Sequence, residues 1–254
     1  MVDFGSAKGV VVAKLKFGLV GGGYGAFIGQ VHRMAAELDG LAELVCGAFS
    51  SDPVQSRSAG VDIYHLPAAR SYPSFNEMFQ IEQQLPAAQR MDFVVVATPN
   101  HLHFPIAQQA LQSGFHVMCD KPVTFSLHEA LELQRLIQST NLTFGLSHNY
   151  TGYAMVREAR ELVRSGALGS IRRVSCEYLQ GWLAQPAAHN KQAQWRTDPT
   201  RAGVAGCFGD IGSHAENLVS YVTGLEIAEL CADLTTFVDG RELDDDGNVL
   251  MRFH

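Results

Sequence analysis

A glycine-rich turn between an apolar strand and a helix constrains the fold of this chain more than any other feature of its sequence. Residues 18–26 read GLVGGGYGA, with the spacing G-x-G-x-x-A, after a predicted strand and before a predicted helix. Gly21 permits the tight turn, Gly23 lets the backbone approach a pyrophosphate, and small Ala26 allows close packing of the helix on the strand. The free N–H groups at the helix start favour phosphate. The pattern predicts a dinucleotide-binding loop, with contacts from Gly21, Gly23, Tyr24 and Ala26.

The first half of the chain alternates strands with helices. Strands are predicted at 15–20, 43–49, 92–97, 115–119 and 142–146, with a short one near 63–65 or around Tyr72. Ser74 and Ser126 each stand three residues before a glutamate, which is the capping-box pattern that begins a helix. Strands that alternate with helices predict a doubly wound parallel sheet of the Rossmann type. We expect an α/β dinucleotide-binding domain over residues 1–148.

The second half of the chain predicts a different architecture. A helix near 154–165 precedes strand-like residues 171–178, a long irregular stretch and a helix near 211–223. Residues 228–238 and 248–253 read as strands joined by an acidic turn without a crossover helix, which predicts antiparallel pairing. We expect residues 149–254 to form an α+β domain with a mostly antiparallel sheet. Because the chain ends inside or directly after the last strand, we expect this sheet to be truncated and its edge unpaired.

The composition argues against several classes of function. The 254 residues carry a net charge of −7 and show no cluster of Lys and Arg, whereas a nucleic-acid surface needs a basic patch. A membrane helix needs roughly 20 consecutive apolar residues, and no such run is present. The five cysteines are odd in number and widely spaced, without a CxxC pair, which is typical of a reduced, cytoplasmic protein. We expect no nucleic acid, membrane or metal as partner.

The end of the second predicted strand bears on the choice of cofactor. An Asp or Glu at that place would accept hydrogen bonds from the ribose hydroxyls of NAD. Here Ser50 takes the place, Ser51 follows, and Asp52 lies two residues further into the loop. Serine tolerates a 2′-phosphate without repelling it, so the sequence slightly favours NADP over NAD, with Ser50 and Ser51 as contacts. Arg57 could assist, although an exposed helical arginine is the simpler explanation.

Polar side chains also follow two later strands, where a parallel sheet presents its carboxyl edge to ligands. Lys121 comes directly after one strand and before Pro122, which biases the lysine towards an extended backbone. Residues 97–103 (ATPNHLH) follow the other strand. The same residues also have explanations that involve no function. Lys121 would then be a solvated charge, and Asn100 a helix N-cap beside two surface histidines. The predicted cofactor contacts at this edge are Thr98, Pro99, Asn100, His103, Asp120 and Lys121.

Asp210 and His214 stand four residues apart at the start of a predicted helix. That spacing places a carboxylate and an imidazole on one helix face. A salt bridge at a helix start has the same pattern, and so has half of a metal site. No HExxH motif or further ligand cluster accompanies the pair, so a metal is the least favoured explanation.

Together these motifs resemble the glucose–fructose oxidoreductase / inositol dehydrogenase / rhizopine-catabolism family. The glycine loop, residues 97–103, residues 120–122 (DKP) and residues 209–214 (GDIGSH) occur in the family's order, and the resemblance spans roughly residues 16–254. It implies an NAD(P)-dependent oxidoreductase of sugars, cyclitols or related polyols. The family usually has Glu where this chain has Asp120, which shortens one side chain beside the site. The residues that match the family's catalytic group are Lys121, Asp210 and His214.

The chemistry of alcohol oxidation agrees with these identities. A base must take the hydroxyl proton while hydride leaves for the nicotinamide, and an imidazole titrates near neutral pH. We expect His214 to act as the base, Lys121 to stabilise the developing alkoxide, and Asp210 to orient the imidazole or to bind an adjacent hydroxyl. Aromatic rings stack on sugars, although core packing explains each aromatic equally well. The predicted substrate contacts are Tyr150, Tyr153, Trp182, Trp195 and Arg196.

Two other interpretations stay open at this point. A non-catalytic protein that senses a nucleotide or a sugar could share the fold, although it would not need Lys121, Asp210 and His214 together. An inactive fragment is the other interpretation, because family members usually continue with further strands of the C-terminal sheet. That sheet commonly forms the oligomer interface in the family, so the resemblance implies a homo-oligomer, either a dimer or a tetramer, if the sheet is complete.

Overall fold

The computed structural model describes residues 13–186 and 189–254. The strands in these ranges are β1 (Leu15–Gly21), β2 (Ala42–Ala48), β3 (Phe93–Ala97), β4 (His116–Asp120), β5 (Phe144–Ser147), β6 (Ile227–Thr235) and β7 (Asp246–Phe253). The α-helices are α1 (Ile28–Glu37), α2 (Pro53–Asp62), α3 (Phe75–Glu82), α4 (His103–Gln112), α5 (Leu127–Gln138), α6 (Ala154–Arg164), α7 (Lys191–Arg196), α8 (Pro199–Ala202) and α9 (Ser213–Thr223). Short 3-10 turns occupy Ala68–Arg70, Asn100–Leu102 and Asn149–Gly152, and a π-helical turn occupies Phe208–Gly212. None of the helices in the described ranges is long and apolar enough to cross a membrane.

Five strands form one sheet in the order β2-β1-β3-β4-β5. β1 and β2 pair in parallel with Leu19 opposite Gly47, and β4 and β5 pair in parallel with Cys119 opposite Leu146. The helices lie between successive strands along the chain, as a parallel sheet requires. The doubly wound parallel sheet predicted from the sequence is therefore confirmed.

The short strand predicted near 63–65 or around Tyr72 is wrong, because neither segment forms a strand. Ser71 makes only a single bridge to β2. Pro73 follows Tyr72, and a proline has no N–H group to continue a ladder of hydrogen bonds. His65 has a φ of 57°, in the left-handed region, which interrupts extended backbone. Within residues 13–186 and 189–254 the parallel sheet therefore has five strands rather than six.

The chain divides into two compact units, the first of which ends at Val95. Apolar side chains from its strands, such as Phe17 and Cys46, are fully buried. The carboxylate of Glu82 is also fully buried. It accepts hydrogen bonds from the Tyr72 hydroxyl at 2.8 Å and the Met91 N–H at 3.1 Å, and lies 2.9 Å from the Arg70 guanidinium. These partners offset the cost of burying a charge.

Two helices begin at the serines that the sequence singles out. The Ser74 Oγ accepts a hydrogen bond from the Glu77 N–H at 3.2 Å at the start of α3. The Ser126 Oγ accepts one from the Glu129 N–H at 3.3 Å at the start of α5. Both serines have extended backbone, as N-cap residues do. Both predicted helix starts are confirmed.

The second unit runs from Val96 to His254 and contains an antiparallel pair of strands. β6 pairs with β7 so that Cys231 lies opposite Leu250, which confirms the predicted antiparallel arrangement. The strand predicted at 171–178 is wrong, because these residues are irregular. Among the described residues, this sheet consists of β6 and β7 alone. Residues 171–178 therefore form no ladder of hydrogen bonds with it. The domain boundary between residues 148 and 149 stays a prediction.

Candidate active site

The glycine loop between β1 and α1 is shaped for close approach to its backbone. Gly21 and Gly22 have φ values of 94° and 80°, in a region that other residues rarely adopt. A Cβ at Gly23 would lie 2.4 Å from the carbonyl oxygen of Phe49, just beyond β2. Only glycine fits there, so Gly23 packs the loop tightly against the end of β2, and the spacing of the loop is that of dinucleotide-binding loops. Tyr24 lies exposed at the edge of the loop.

The helix after the glycine loop begins at Ile28, two residues after Ala26, the last position of the motif. The Ala26 N–H donates to the Gly23 carbonyl at 2.9 Å, so Ala26 belongs to the turn. The helix comes closest to the loop at Gly29, where an added Cβ would lie 2.5 Å from the Gly22 Cα. Close packing of helix on loop therefore depends on Gly29, which lies outside the motif read from the sequence.

The end of β2 carries hydroxyls rather than a free carboxylate. The Ser50 Oγ accepts a hydrogen bond from the Asp52 N–H at 3.1 Å. The Asp52 carboxylate accepts two backbone N–H groups and thereby caps α2. Arg57 is half exposed and pairs with Glu77 at 3.3 Å. Contact of Ser50 and Ser51 with a cofactor ribose stays a prediction.

The loop after β3 contains buried polar atoms with unused hydrogen-bonding capacity. Thr98 Oγ1 and Asn100 Oδ1 are buried and have no hydrogen-bond partner within the described residues. The Asn100 Nδ2 donates to the Ala202 carbonyl at 2.8 Å, which fixes the amide. An unpaired buried polar atom costs free energy. Contact with a polar ligand would relieve that cost, so the two atoms, with Pro99 between them, fit the predicted cofactor contacts.

His103 ties two loops of this edge together. Its ring is fully buried, with Nδ1 2.6 Å from the Pro122 carbonyl and Nε2 2.9 Å from the Thr98 carbonyl. Burial lowers the pKa of His103, although the two carbonyls oppose that effect. Both ring nitrogens face backbone carbonyls, so the ring positions the neighbouring loops. Direct contact of His103 with a cofactor stays a prediction.

Lys121 follows β4 and is joined to Pro122 by a cis peptide bond. Its ammonium donates to Asp210 Oδ1 at 2.5 Å and to the Asp210 carbonyl at 2.6 Å. Its backbone N–H donates to Asp120 Oδ1 at 2.9 Å, and this oxygen also accepts from the Ser147 hydroxyl at 2.8 Å. The lysine side chain is only 13% exposed. It is therefore held at both ends rather than extended into solvent.

Asp210 lies in the π-helical turn and faces two cations. Its Oδ1 binds Lys121, and its Oδ2 lies 3.0 Å from Arg196 Nε. Burial opposes ionisation, but the charges of Lys121 and Arg196 outweigh it and lower the pKa of Asp210. The sequence spacing places Asp210 and His214 on one α-helical face. In the structure both carboxylate oxygens of Asp210 instead face cations.

His214 lies in the first turn of α9 and is 8% exposed. Its Nδ1 is buried and has no hydrogen-bond partner within the described residues. Its ring centroid lies 4.8 Å from that of Tyr150 and 5.6 Å from that of His148. Burial, followed by the charge of Lys121, lowers the pKa of His214 to about 4. The imidazole is therefore uncharged at neutral pH.

A series of hydrogen bonds runs from Tyr150 along the irregular segment. The Tyr150 and Tyr178 hydroxyls form a hydrogen bond. The Gln180 Nε2 donates to the Tyr178 hydroxyl at 2.9 Å, and the Trp182 Nε1 donates to Gln180 Oε1 at 3.0 Å. Tyr153 is more than half exposed, with its ring centroid 6.0 Å from that of Tyr150. Of these side chains, the rings of Tyr150 and Tyr178 lie beside His214, with centroids 4.8 Å and 6.3 Å from that of its imidazole.

Arg196 is engaged by its own helix and by Asp210. Its Nη1 donates to the backbone carbonyl and to the side-chain oxygen of Gln192, both at 3.1 Å. Its guanidinium lies 4.2 Å from the centroid of the Trp195 ring and 5.6 Å from that of Trp182. With the Asp210 pair, these contacts fix the guanidinium. The predicted contact of Arg196 with substrate stays a prediction.

The second unit brings its predicted catalytic residues into one region and adds residues that sequence reasoning missed. Ser147 and His148 follow β5, so the rule applied to Lys121, that residues beyond a parallel strand face ligands, could have found them. Tyr178 lies on irregular backbone, and no sequence signal marks it. Within residues 13–186 and 189–254, no group of three or more His, Cys, Asp and Glu side chains could hold a metal ion.

A nucleotide-type glycine loop on a doubly wound sheet, in a chain that also holds a fixed lysine beside a carboxylate, is an arrangement typical of nucleotide-dependent oxidoreductases. Comparison with protein families agrees with this class. Residues 15–148 match the oxidoreductase family with an NAD-binding Rossmann fold, and residues 156–254 match the GFO/IDH/MocA C-terminal domain. The chain belongs to the GFO/IDH/MocA family, as the order of its motifs predicts.

Several relatives cover nearly the whole chain. It is 32% identical over 252 residues to the uncharacterized oxidoreductase YfiI of Bacillus subtilis, which covers 96% of this chain and 63% of that protein. It is 34% identical to an inositol dehydrogenase homologue from Azotobacter vinelandii, solved with NADH and myo-inositol, with a TM-score of 0.86 over 95% of this chain and 61% of that chain. It is 33% identical to levoglucosan dehydrogenase of Pseudarthrobacter phenanthrenivorans over 61% of this chain and 38% of that protein. The chain thus spans less than two thirds of the length of these relatives.

Proposed function

We propose that this chain carries the cofactor loop and the catalytic residues of an NAD(P)-dependent dehydrogenase of a sugar, cyclitol or related polyol. It would oxidise a secondary alcohol of that substrate. One observation carries the proposal: Lys121 is held by the carboxylate and the carbonyl of Asp210, in the same unit as an uncharged His214. The substrate class is supported by relatives, because the inositol dehydrogenase homologue was solved with myo-inositol and levoglucosan dehydrogenase with levoglucosan.

Lys121 would stabilise the alkoxide. An ammonium has three N–H donors, and two of those of Lys121 are given to Asp210. The third would donate to the substrate oxygen, where a positive charge stabilises the negative charge that develops. Asp210 orients the ammonium, and Arg196 holds the other carboxylate oxygen. We propose this role for Asp210, rather than orientation of the His214 ring, because both of its carboxylate oxygens face cations.

His214 would take the hydroxyl proton. A pKa of about 4 keeps the imidazole uncharged and able to accept a proton at neutral pH. Such an imidazole is a weaker base than an ordinary one. The hydrogen bond from Lys121 offsets this weakness, because it lowers the pKa of the hydroxyl that His214 deprotonates. Lys121 would therefore stabilise the oxygen that loses the proton, and His214 would receive that proton.

The nicotinamide cofactor, when bound, supplies the acceptor for the hydride. The backbone at Gly21 and Gly23 would hold its pyrophosphate, and Ser50 and Ser51 its adenosine ribose. A slight preference for NADP follows from Ser50, because a carboxylate at that place would repel a 2′-phosphate. Asp52 is already engaged in capping α2. NAD is the alternative, since relatives were solved with NAD+ or NADH.

The substrate contacts would come from the aromatic side chains near His214. The Tyr150 ring packs against the His214 ring, and Tyr153 is exposed beside it. Trp195 presents a ring of the kind that stacks on sugars, although one side of it meets Arg196. Arg196 would reach substrate only while it also holds Asp210. Tyr150 is therefore the predicted substrate contact that the structure supports best.

The test is a cofactor-reduction screen with NAD and NADP against a panel of sugars and inositols. We expect turnover of at least one substrate, and we expect Lys121→Ala to lower kcat by about a hundredfold to a thousandfold. Lys14→Ala, which removes an exposed lysine, serves as the matched control and should retain wild-type activity. No turnover with any substrate, alongside normal cofactor binding, would contradict the enzyme. Equal activity in Lys121→Ala would remove Lys121 from the mechanism.

Cofactor choice has a separate test. Ser50→Asp should shift the ratio of the kcat/KM values for NADP and NAD by at least about tenfold towards NAD, because a carboxylate repels the 2′-phosphate. Ser51→Asp adds the same charge one residue further along and should shift the ratio less. A clear NAD preference in the wild type that Ser50→Asp does not strengthen would contradict the role of Ser50.

We also propose that the protein is a cytoplasmic homo-oligomer that associates through its C-terminal sheet. The location is supported by Cys46, Cys119, Cys176, Cys207 and Cys231, which are all free thiols. The assembly is supported by the exposed side chains along β6, such as Leu230 and Leu234. Light scattering coupled to gel filtration gives the mass in solution, and a monomer would contradict the assembly.

A further inference from the structure

Asp244, in the acidic turn before β7, binds three successive residues of the loop 206–208. Its Oδ1 accepts a hydrogen bond from the Gly206 N–H at 2.6 Å. Its Oδ2 accepts from the Phe208 N–H at 2.8 Å and from the Cys207 thiol at 3.2 Å. Its own carbonyl accepts from the Cys207 N–H at 2.9 Å. Hydrogen bonds to a carboxylate are shorter and stronger than neutral ones, so Asp244 fixes every backbone N–H of the loop.

The loop and the acidic turn are in direct backbone contact. A Cβ at Gly206 would lie 2.2 Å from the Asp244 carbonyl oxygen. Leu243 beside it is buried. Burial, followed by the hydrogen bond to Asp244, raises the pKa of Cys207 to about 12, so the thiol keeps the proton that it donates. A side chain other than that of Asp244 would have to replace several bonds at once.

The loop 206–208 leads directly into the π-helical turn that carries Asp210. The Asp210 N–H donates to the Gly206 carbonyl at 3.1 Å, so Asp244 and Asp210 bind the same residue from its two sides. Asp210 holds the Lys121 ammonium through its carboxylate at 2.5 Å and its carbonyl at 2.6 Å. A shift of this turn would therefore displace both of those acceptors together.

We propose that Asp244 is a positioning residue, which fixes the turn of Asp210 so that Asp210 keeps the Lys121 ammonium in place for the substrate oxygen. The expected effect on turnover rests on the dehydrogenase function proposed above, whereas the expected effect on Lys121 does not. Asp244 acts through Asp210 and touches no reacting atom. Its loss should therefore lower kcat while cofactor binding stays unchanged.

Asp245 provides a matched control for this proposal. It also accepts two backbone N–H groups, from Phe237 at 2.8 Å and Val238 at 2.9 Å, but these belong to a different turn. Asp244→Asn and Asp245→Asn each remove one negative charge. We expect Asp244→Asn to lower kcat by about tenfold to a hundredfold, as small displacements in an active site do. Cofactor affinity should stay within about twofold, and Asp245→Asn should leave kcat within about twofold of the wild type.

A second measurement follows Lys121 itself and needs no substrate. The chain has five lysines, Lys8, Lys14, Lys16, Lys121 and Lys191. Labelling of the full chain with 13C-lysine therefore gives few Cε–H resonances. The resonance that disappears in Lys121→Arg is assigned to Lys121. We expect this resonance to move in Asp244→Asn in the same direction as in Asp210→Asn. In Asp245→Asn it should keep its wild-type position.

The outcomes separate this proposal from the proposed function. A Lys121 resonance that moves in Asp210→Asn but stays in place in Asp244→Asn overturns the positioning role, whatever the activity. An equal movement in Asp245→Asn also overturns it, because the effect would then be general loss of the acidic turn. A third outcome separates the two proposals: Asp244→Asn moves the resonance, Asp245→Asn does not, and the wild type oxidises no sugar or polyol. The dehydrogenase function would then be refuted, and the positioning of Lys121 by Asp244 would be supported. Circular dichroism establishes that each variant is folded.

Discussion

Replacement of Gly23 with alanine perturbs the proposed cofactor loop at the place where the structure leaves least room. The added Cβ would lie 2.4 Å from the Phe49 carbonyl oxygen and 3.3 Å from its carbonyl carbon. Non-bonded heavy atoms settle near 3.5 Å or beyond, so the loop must retreat by about 1 Å. The obstacle is backbone directly beyond β2, whose last residue, Ala48, is paired with Val20. It cannot turn aside as a flexible side chain would.

The size of the effect follows from this forced movement. Overpacking of this kind costs about 1–3 kcal/mol of folding free energy. A retreat of the loop also removes at least one backbone hydrogen bond to the cofactor phosphate, and a hydrogen bond to a charged group contributes about 1.5–3 kcal/mol. Each 1.4 kcal/mol is about a factor of ten in affinity. We therefore expect Gly23→Ala to raise the Kd for NAD(P) by about tenfold to a hundredfold.

Isothermal titration of the reduced cofactor measures this Kd, and urea unfolding measures the stability. Gly181→Ala is the matched control, because a Cβ at Gly181 meets nothing within 4 Å, and it should bind the cofactor as the wild type does. If Gly23→Ala binds NAD(P) with wild-type affinity and unfolds at the same urea concentration, the close approach to Phe49 and its role in the cofactor loop are both refuted.

Two further predictions concern charge. An NMR titration should give His214 a pKa of about 4, below the usual value near 6.5. The contribution of the uncharged His214 side chain to stability is therefore present above about pH 6.5, and it is lost as the pH falls towards 4. A measured pKa at or above 6.5 would contradict the uncharged base. Glu82→Ala should lower the free energy of unfolding in urea by about 3–5 kcal/mol, because it leaves the Arg70 charge unpaired. Glu77→Ala breaks an exposed pair with Arg57 and should lower the free energy of unfolding by less than about 1 kcal/mol. If the two substitutions lower it equally, the burial of Glu82 does not set the size of the effect.

Much of the fold was predictable because local signals and tertiary packing agree. Ser74 and Ser126 cap helices in the structure as their spacing from a glutamate predicts. The strand near Tyr72 failed for a tertiary reason, since Ser71 comes beside β2 for a single bridge only before Pro73. Residues 171–178 have the composition of a strand, but a strand forms only where a partner offers hydrogen bonds.

Some members of the candidate site could be named from the sequence, whereas most of their contacts could not. Lys121 could be recognised because the end of a parallel strand fixes where it lies. That Arg196 holds Asp210, rather than standing free for a ligand, depends on a contact between α7 and the π-helical turn, across 14 positions of the chain. The presence of His148 against the His214 ring likewise depends on how β5 and α9 meet. Such contacts arise from packing, which no local pattern encodes.

The π-helical turn at Phe208–Gly212 has a consequence for how the chain could change over evolution. A π turn is an α-helical turn that accommodates one extra residue. Deletion of one residue, such as Gly209, would let the segment close as an ordinary helix continuous with α9. Each residue of an α-helix turns the chain by about 100°, so Asp210 would rotate away from Lys121 while the helix itself persisted. A single deletion would thus separate the fold from the proposed catalysis, because the chain would keep its helix but lose the contact between Asp210 and Lys121.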